Sequence, residues 1–254
     1  MPGSLKANRM RKPIEMKEQF VRSALLLGED GIDRLVRAKV AVFGIGGVGG
    51  FVAEALARAG IGHFLLVDND EVSISNINRQ IIATWDSVGK KKTLVMKERI
   101  RSINPDAVVE TKECFFLPEN ADEITFSEYD YIVDAVDTVS AKLEIITRAR
   151  AAGVPVLSCM GAGNKLDPSR FMVTDIYQTK VCPLARVMRR ELKKRGVDGC
   201  KVVYSTEEAK KPKSELLSEE EAAGRREVPG SVSFVPSAAG LVAAGEVVRE
   251  LCGY

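Results

Sequence analysis

Short apolar runs alternate with amphipathic stretches over most of this chain. "EQFVRSALLLGEDGIDRLVRA" spaces its apolar residues at helical intervals, with a break near Gly28 to Gly31, and predicts two short helices. "KVAVFGIGGVGG" is a β-rich apolar run entering a glycine-rich turn, and "FVAEALARAG" continues as a helix that stops at Gly60. "HFLLVD" predicts a buried strand ending on Asp68. The next helix, "KKTLVMKERIRSIN", is closed by Asn104-Pro105 and followed by a strand, "AVVETKECFF". "YDYIVDAVD" predicts a further buried strand ending on Asp137, then "AKLEIITRARAAG" a helix and "VPVLSCMGAG" a strand. This alternation across roughly 39–160 implies an α/β, Rossmann-like, doubly wound and mostly parallel sheet, with ligands at the C-terminal ends of the strands.

The pattern changes after Gly163. "FMVTDIYQT" predicts a strand, and "PLARVMRRELKKRG" a basic helix at about 183–196. The segment at about 205–230 is charged, almost free of apolar residues, and reads as a mobile loop or crossing segment. "SVSFVPSAAGLVAAGEVVREL" brings the chain back as a C-terminal extension, a strand-like piece followed by a small-residue helix. That helix serves either a dimer interface or the core. The first 16 residues are polar and basic and read as a loose tail, leaving 17–254 as a single nucleotide-binding domain.

Composition narrows the class. Hydrophobic residues make up 45% of the 254, enough for a substantial core. The net charge of +2 means that nucleic acid must be met by a local basic patch. The five cysteines are scattered without a C-x-x-C pair, so no zinc site is expected, and their odd number without a signal peptide points to the cytoplasm. No membrane span is expected, because the best apolar stretch is cut by Glu246, Arg249 and Glu250.

Gly44, Gly46 and Gly49 form G-x-G-x-x-G, with an extra glycine at Gly47. The motif follows a strand, opens a helix and has Asp68 about 20 residues on, the arrangement that binds nucleotide phosphates at a helix N-terminus and ribose on the acid. The stretch "VDNDEVSISNINRQ" then crowds Asp70, Asn76, Asn78, Arg79 and Gln80 beyond the strand. A nicotinamide dehydrogenase needs little there beyond ribose recognition. A planar guanidinium with several amides suits a triphosphate whose α-phosphorus changes partners. In "GKKKT", Lys92 starts the next helix within reach of the phosphates, although lysine runs are also ordinary surface charge. Asp137 is placed either to ligate Mg²⁺ beside a polyphosphate or to cap the following helix. Asp70 assists ATP or metal, or caps its own loop.

"GIGGVGG", "VDNDEVSISNINRQ", "VGKKKT" and "DAVDT" resemble, in order and spacing, the ubiquitin-activating-enzyme-like superfamily over roughly 17–165. The resemblance implies an activating-enzyme-like adenylation fold and ATP-dependent adenylation of a carboxylate. It implies Asp68 as ribose ligand, Arg79 and Lys92 as phosphate ligands, Asp137 as the magnesium-coordinating aspartate, and Asn76 and Gln80 around the ATP. Arg22 resembles the arginine that family homodimers lend to the neighbouring subunit's ATP. The chain departs from the protein-activating branch, since it lacks the paired C-x-x-C motif and carries no cysteine in its charged crossing segment. "MGAGNKLDPSRF", "IYQTKVCPLARVMRRELKKRGV", "VVYSTEE" and "GSVSFVPSAAGLVAAGEVV" are instead similar to the tRNA threonylcarbamoyladenosine dehydratase branch. This implies ATP-driven cyclisation of N6-threonylcarbamoyladenosine at position 37 of tRNA through an acyl adenylate. Intramolecular ring closure needs no cysteine carrier.

The basic helix speaks for an RNA partner on its own residues. Arg186, Arg189, Arg190, Lys193 and Lys194 recur at i, i+3, i+4, i+7 and i+8, one face of a helix and a phosphate-binding footprint, or else a solvated charged face. Tyr177 and Phe171 are the nearest aromatic candidates for a base platform and fit the core better. His63, the single histidine, reads as a strand-edge residue, and Cys159 as packing. Cys182 precedes the basic helix, where a dipole could activate a thiol. Three other readings remain at this level: adenylation of a sulfur-carrier or ubiquitin-like protein, a non-catalytic nucleotide-binding module, and a dehydrogenase. A sulfur-transfer protein is a further candidate partner.

Overall fold

The computed structural model describes residues 17–213 and 229–254. The expected tail, 1–16, and most of the expected crossing segment, 214–228, lie outside the described residues. The strands are β1 (Lys39–Phe43), β2 (His63–Val67), β3 (Val108–Lys112), β4 (Tyr131–Asp134), β5 (Val156–Cys159), β6 (Phe171–Asp175) and β7 (Lys201–Ser205). The helices are α1 (Val21–Leu27), α2 (Glu29–Arg37), α3 (Gly49–Ala59), α4 (Lys92–Ile103), α5 (Val139–Ala151), α6 (Pro183–Lys194) and α7 (Phe234–Cys252). Gly28, at φ 73°, separates α1 from α2, and Gly60, at φ 105°, ends α3, each a conformation that suits glycine.

The strands form one seven-stranded sheet in the order β3-β2-β1-β4-β5-β7-β6. All neighbours run parallel except β6, which is antiparallel to β7. Val40, Val42, Phe64, Leu66, Tyr131 and Val133 face a core built with α2, α3, α4 and α7. Ala41, Phe43, Leu65 and Ile132 face α5, and that layer continues to α6. Burial on both faces explains why the parallel strands read as nearly continuous apolar runs. The strand order reverses between β1 and β4, so the crevice at their C-terminal ends is where such a sheet takes ligands.

Four expected boundaries shift. β4 ends at Asp134 and not at Asp137, because the chain leaves the sheet to cross the β1 edge, with Ala135 N–H donating to Phe43 O. β3 stops at Lys112, and the residues to Phe116 fold into the loop beside the crevice. "SVSFV" supplies no strand, since Phe234 already begins α7. The basic helix closes at Lys194, two residues early, against Gly196 at φ 68°. α7 packs into the core through Val235, Ala239, Ala243 and Val247. A Cβ on Gly240 would lie 2.5 Å from Val48 O, so the helix sits directly on α3. Among the described residues no helix is long and apolar enough to cross a membrane.

Candidate active site

A crevice of about 400 Å³ opens at the β1/β4 reversal. Its floor is the glycine loop. Gly44 has φ +87°, and a Cβ there would lie 2.8 Å from Ala135 O, so only glycine lets β1 and the β4 loop meet. Gly44, Gly46 and Gly47 line the crevice. Gly49 is one step behind them. A Cβ on it would sit 1.8 Å from Gly44 O, so its task is to let α3 start against the loop. Gly46, Gly47 and Val48, the residues that lead into α3, line the crevice, and Gly50 N–H is taken by Gly46 O at 3.0 Å.

Asp68 follows β2 and grips the loop, accepting from Ile45 N–H at 2.6 Å and from Asp70 N–H at 2.8 Å. Asp70 makes a contact that neither expected role named: its Oδ2 lies 2.7 Å from Nζ of Lys92. Lys92 is 5% exposed at the start of α4, with its ammonium directed to the crevice wall. Asn76 is buried, and its Oδ1 accepts from Ser73 N–H at 3.2 Å in a reciprocal cap. The short 3-10 turn at Ile74–Asn76 therefore fixes where Arg79 emerges.

Arg79 donates through Nη1 to Ser75 O and Asn78 Oδ1, both at 2.8 Å, and makes no ion pair among the described residues. Burial lowers its affinity for its proton, the signature of a cation without a counterion. Asn78 donates to Ser231 O at 3.0 Å, tying this segment to the chain that leads into α7. Gln80 is 7% exposed, and its Oε1 is buried with no hydrogen-bond partner among the described residues. An orphaned acceptor facing a crevice is a place for a ligand donor. Asp137 stands exposed on the opposite wall, where among the described residues its Oδ1 accepts only from Thr138 Oγ1 at 3.3 Å. The cap alternative for Asp137 fails. Thr138 is the N-cap of α5, and no side-chain cap bond is made there.

The remaining residues divide. Arg22 lies on α1 outside the crevice, beside the exposed Leu25 and Leu26. On α6, Ala185, Met188 and Leu192 are buried, so the basic residues form the outer stripe. Arg189 is an exception to a free stripe: it donates to Thr179 O at 3.0 Å and to Thr179 Oγ1, and so staples the helix to the preceding turn. Arg190 and Lys194 share Glu191, and hydrogen bonds from Lys194 and Arg190 pull its carboxyl down to about 2. Arg186 and Lys193 make no ion pair among the described residues. Leu184, at the helix start, packs toward Gly161, next to the crevice residues Ala162 and Gly163, so α6 begins at the edge of the sheet that carries the crevice.

Cys182 is buried in the α5–α6 core, which leaves no exposed thiol there. Phe171 is buried, and Tyr177 donates its hydroxyl to Val197 O, so neither forms a platform. Phe115 and Phe116 do line the crevice, with Phe115 46% exposed. Sequence reasoning missed them by assigning both to β3. Their position just past a strand end was the available signal. It also missed Asp134, Lys142 and Ser158, a buried polar cluster behind Asp137.

The ThiF family profile matches residues 20–254. A tRNA threonylcarbamoyladenosine dehydratase of Bacillus subtilis is 41% identical over 242 residues, covering 93% of this chain and 95% of that protein. Its Escherichia coli counterpart is 40% identical over 207 residues, 78% of this chain and 77% of that one. The structure of the Escherichia coli dehydratase with ATP superposes with a TM-score of 0.81 at 35% identity, over 92% of this chain and 93% of the other. A glycine cradle under a reversal of strand order, walled by Arg79, Lys92 and Asp137, thus comes with a match along nearly the whole described chain, and the chain belongs to the ThiF family.

Proposed function

We infer that the chain is an ATP-dependent tRNA threonylcarbamoyladenosine dehydratase. The carrying observation is the crevice itself: a phosphate cradle with two cations on one wall and a carboxylate on the other. ATP fits it. Gly44 has no room for a side chain and Gly47 only a tight fit against Pro236, the turn into α3 offers backbone donors, and buried Gln80 Oε1 awaits one. Arg79 brings a planar fork to the phosphates, while Lys92 brings a point charge held in place by Asp70. Asp68 is the acid nearest the ribose position.

The N6-threonylcarbamoyl group ends in a carboxylate. Its oxygen attacks the α-phosphorus, pyrophosphate leaves, and an acyl adenylate results. A ureido atom of the same group then attacks the activated carbonyl carbon, the ring closes and AMP departs, so the nucleoside has lost one water. Charge builds on the phosphate oxygens in the first step, where Arg79 and Lys92 offset it.

Asp137 suits Mg²⁺. Its carboxylate is nearly unengaged and faces the two cations across the crevice, and magnesium takes one or two carboxylates together with substrate phosphates. Bound there, the ion would neutralise phosphate charge. Arg22 acts in a homodimer, reaching the partner's crevice, with the exposed apolar side of α1 as part of the contact. The anticodon loop approaches along Arg186, Lys193 and the neighbouring basic residues of α6. Residues 17–254 act as one adenylation domain.

The test is incubation with ATP and tRNA carrying the threonylcarbamoyl group, followed by nucleoside mass spectrometry. A loss of about 18 Da, one water released on ring closure after acyl activation, is expected. No such product from fully modified tRNA defeats the reading. Pyrophosphate exchange that instead requires a small protein ending in Gly-Gly would favour a carrier-protein adenylyltransferase.

A further inference from the structure

We propose that Asp134, Lys142 and Ser158 form a positioning device that sets the Asp137 loop for its metal, an inference that rests on reading Asp137 as the magnesium ligand. Asp134 and Lys142 are both 0% exposed, and Lys142 Nζ lies 3.0 Å from Asp134 Oδ2. Ser158 Oγ donates to the same carboxylate oxygen at 2.5 Å, and Lys142 Nζ also donates to Cys159 O at 2.6 Å. Asp134 and Ser158 are register partners on β4 and β5. The cluster thus joins two strand ends to the first turns of α5.

Ile132 on the same strand and Ala141, Ile145 and Ile146 on the same helix are buried as well. An ion pair in such a place contributes little net stability over well-packed apolar residues, because removing both charges from water costs about as much as their attraction returns. Its geometry points to another task. Asp134 Oδ1 accepts from Val136 N–H at 3.2 Å, and Ala135 N–H is taken by Phe43 O at 2.8 Å. Both peptide N–H groups of the turn leading to Asp137 are thereby fixed. On its other side the same turn supplies Ala135 O, the atom against which Gly44 is packed. The cluster holds one hinge point from which the metal-binding carboxylate and the glycine cradle both diverge. Asp134 and Lys142 touch neither nucleotide nor metal; they act through Asp137.

The test compares the full-length protein with Asp134→Asn/Lys142→Met, which removes both charges while keeping volume, and with Ser158→Ala. Affinity for α,β-methylene ATP is measured by equilibrium dialysis with Mg²⁺ and with EDTA. In the double variant the Mg²⁺ concentration giving half of the gain in binding should rise about tenfold or more, with EDTA binding unchanged. Ser158→Ala should shift it the same way by about threefold, and it decides the matter if the double variant does not fold. An unchanged Mg²⁺ response in the variants, or equal loss with and without Mg²⁺, overturns the positioning role alone. If the unsubstituted protein gains nothing from Mg²⁺, the metal reading of Asp137 falls and this inference with it.

Discussion

At Gly49 an added methyl group has nowhere to go: it would meet Gly44 O at 1.8 Å, a backbone atom that cannot swing aside. Gly49→Ala should cost about 1–3 kcal/mol of stability by overpacking in a urea melt, and weaken nucleotide binding because α3 is pushed off the loop. Arg79 differs in kind. Its removal leaves the fold intact, since it bonds only to Ser75 and Asn78 nearby. Arg79→Ala should lower turnover about 100-fold, the scale of losing one fixed donor to a charged transition state, with an unchanged melting temperature. Arg79→Lys should not restore it, because a point charge does not replace the fork. Lys142→Met alone strands the Asp134 carboxylate in an apolar layer and should cost about 3–5 kcal/mol, most of which the double variant recovers. The sequence displayed Gly49 and Arg79 plainly, through spacing and residue type. It did not display Lys142, because a lysine between Ala141 and Leu143 in a helix looks like any surface lysine until the sheet is placed beneath it.

Among the elements, α3 and α4 are pinned together by Glu54, whose carboxylate is bound by Arg58 at 2.8 Å and by Arg99 at 2.9 Å. Burial pushes this carboxyl up, but the hydrogen bonds from Arg99 and Arg58 outweigh it and leave it below the ordinary carboxylate range. A lowered folded-state value means the contribution is complete above the unfolded value, about 4.3 for glutamate, and is lost as pH falls through the folded one. Glu54→Gln should therefore be less stable at neutral pH and show a flatter acid limb in a denaturation series. α6 carries the second prediction. Arg186→Ala and Lys193→Ala should each raise the tRNA KM and reduce the salt slope of binding by about one, leaving ATP affinity untouched. Arg189→Ala should instead loosen the start of the helix, since Arg189 holds Thr179. The basic period was legible in sequence, but it gave all five residues one role. Tertiary contact separated the staple from the stripe, and Arg190 and Lys194, which share Glu191, from Arg186 and Lys193, which make no ion pair among the described residues, through distances that periodicity does not carry.

For the whole molecule the prediction concerns a second copy that completes each site. Arg22 stands outside its own crevice on a helix that exposes Leu25 and Leu26 by 80% and 82%. If it serves the partner, mixing Arg22→Ala and Asp137→Ala chains after co-refolding should recover about a quarter of the unsubstituted activity, because half of randomly paired two-fold dimers are mixed and each mixed dimer holds one intact site. Either variant alone should be inactive, and a mixture as inactive as its parts would place Arg22 outside catalysis.

The sequence by itself determined the α/β order, the glycine cradle and the identity of the polar cluster past β2. These depend on local periodicity and on residue types that few conformations accept, and they survive in one dimension. Only the tertiary structure decided that β4 stops at Asp134, that Phe115 and Phe116 turn into the crevice, and that α7 lies against α3 rather than on the surface. Each of those depends on what a neighbouring strand or helix offers across dozens of intervening residues. A buried carboxylate, an exposed ring and a glycine under a carbonyl look alike in sequence until packing gives each its surroundings.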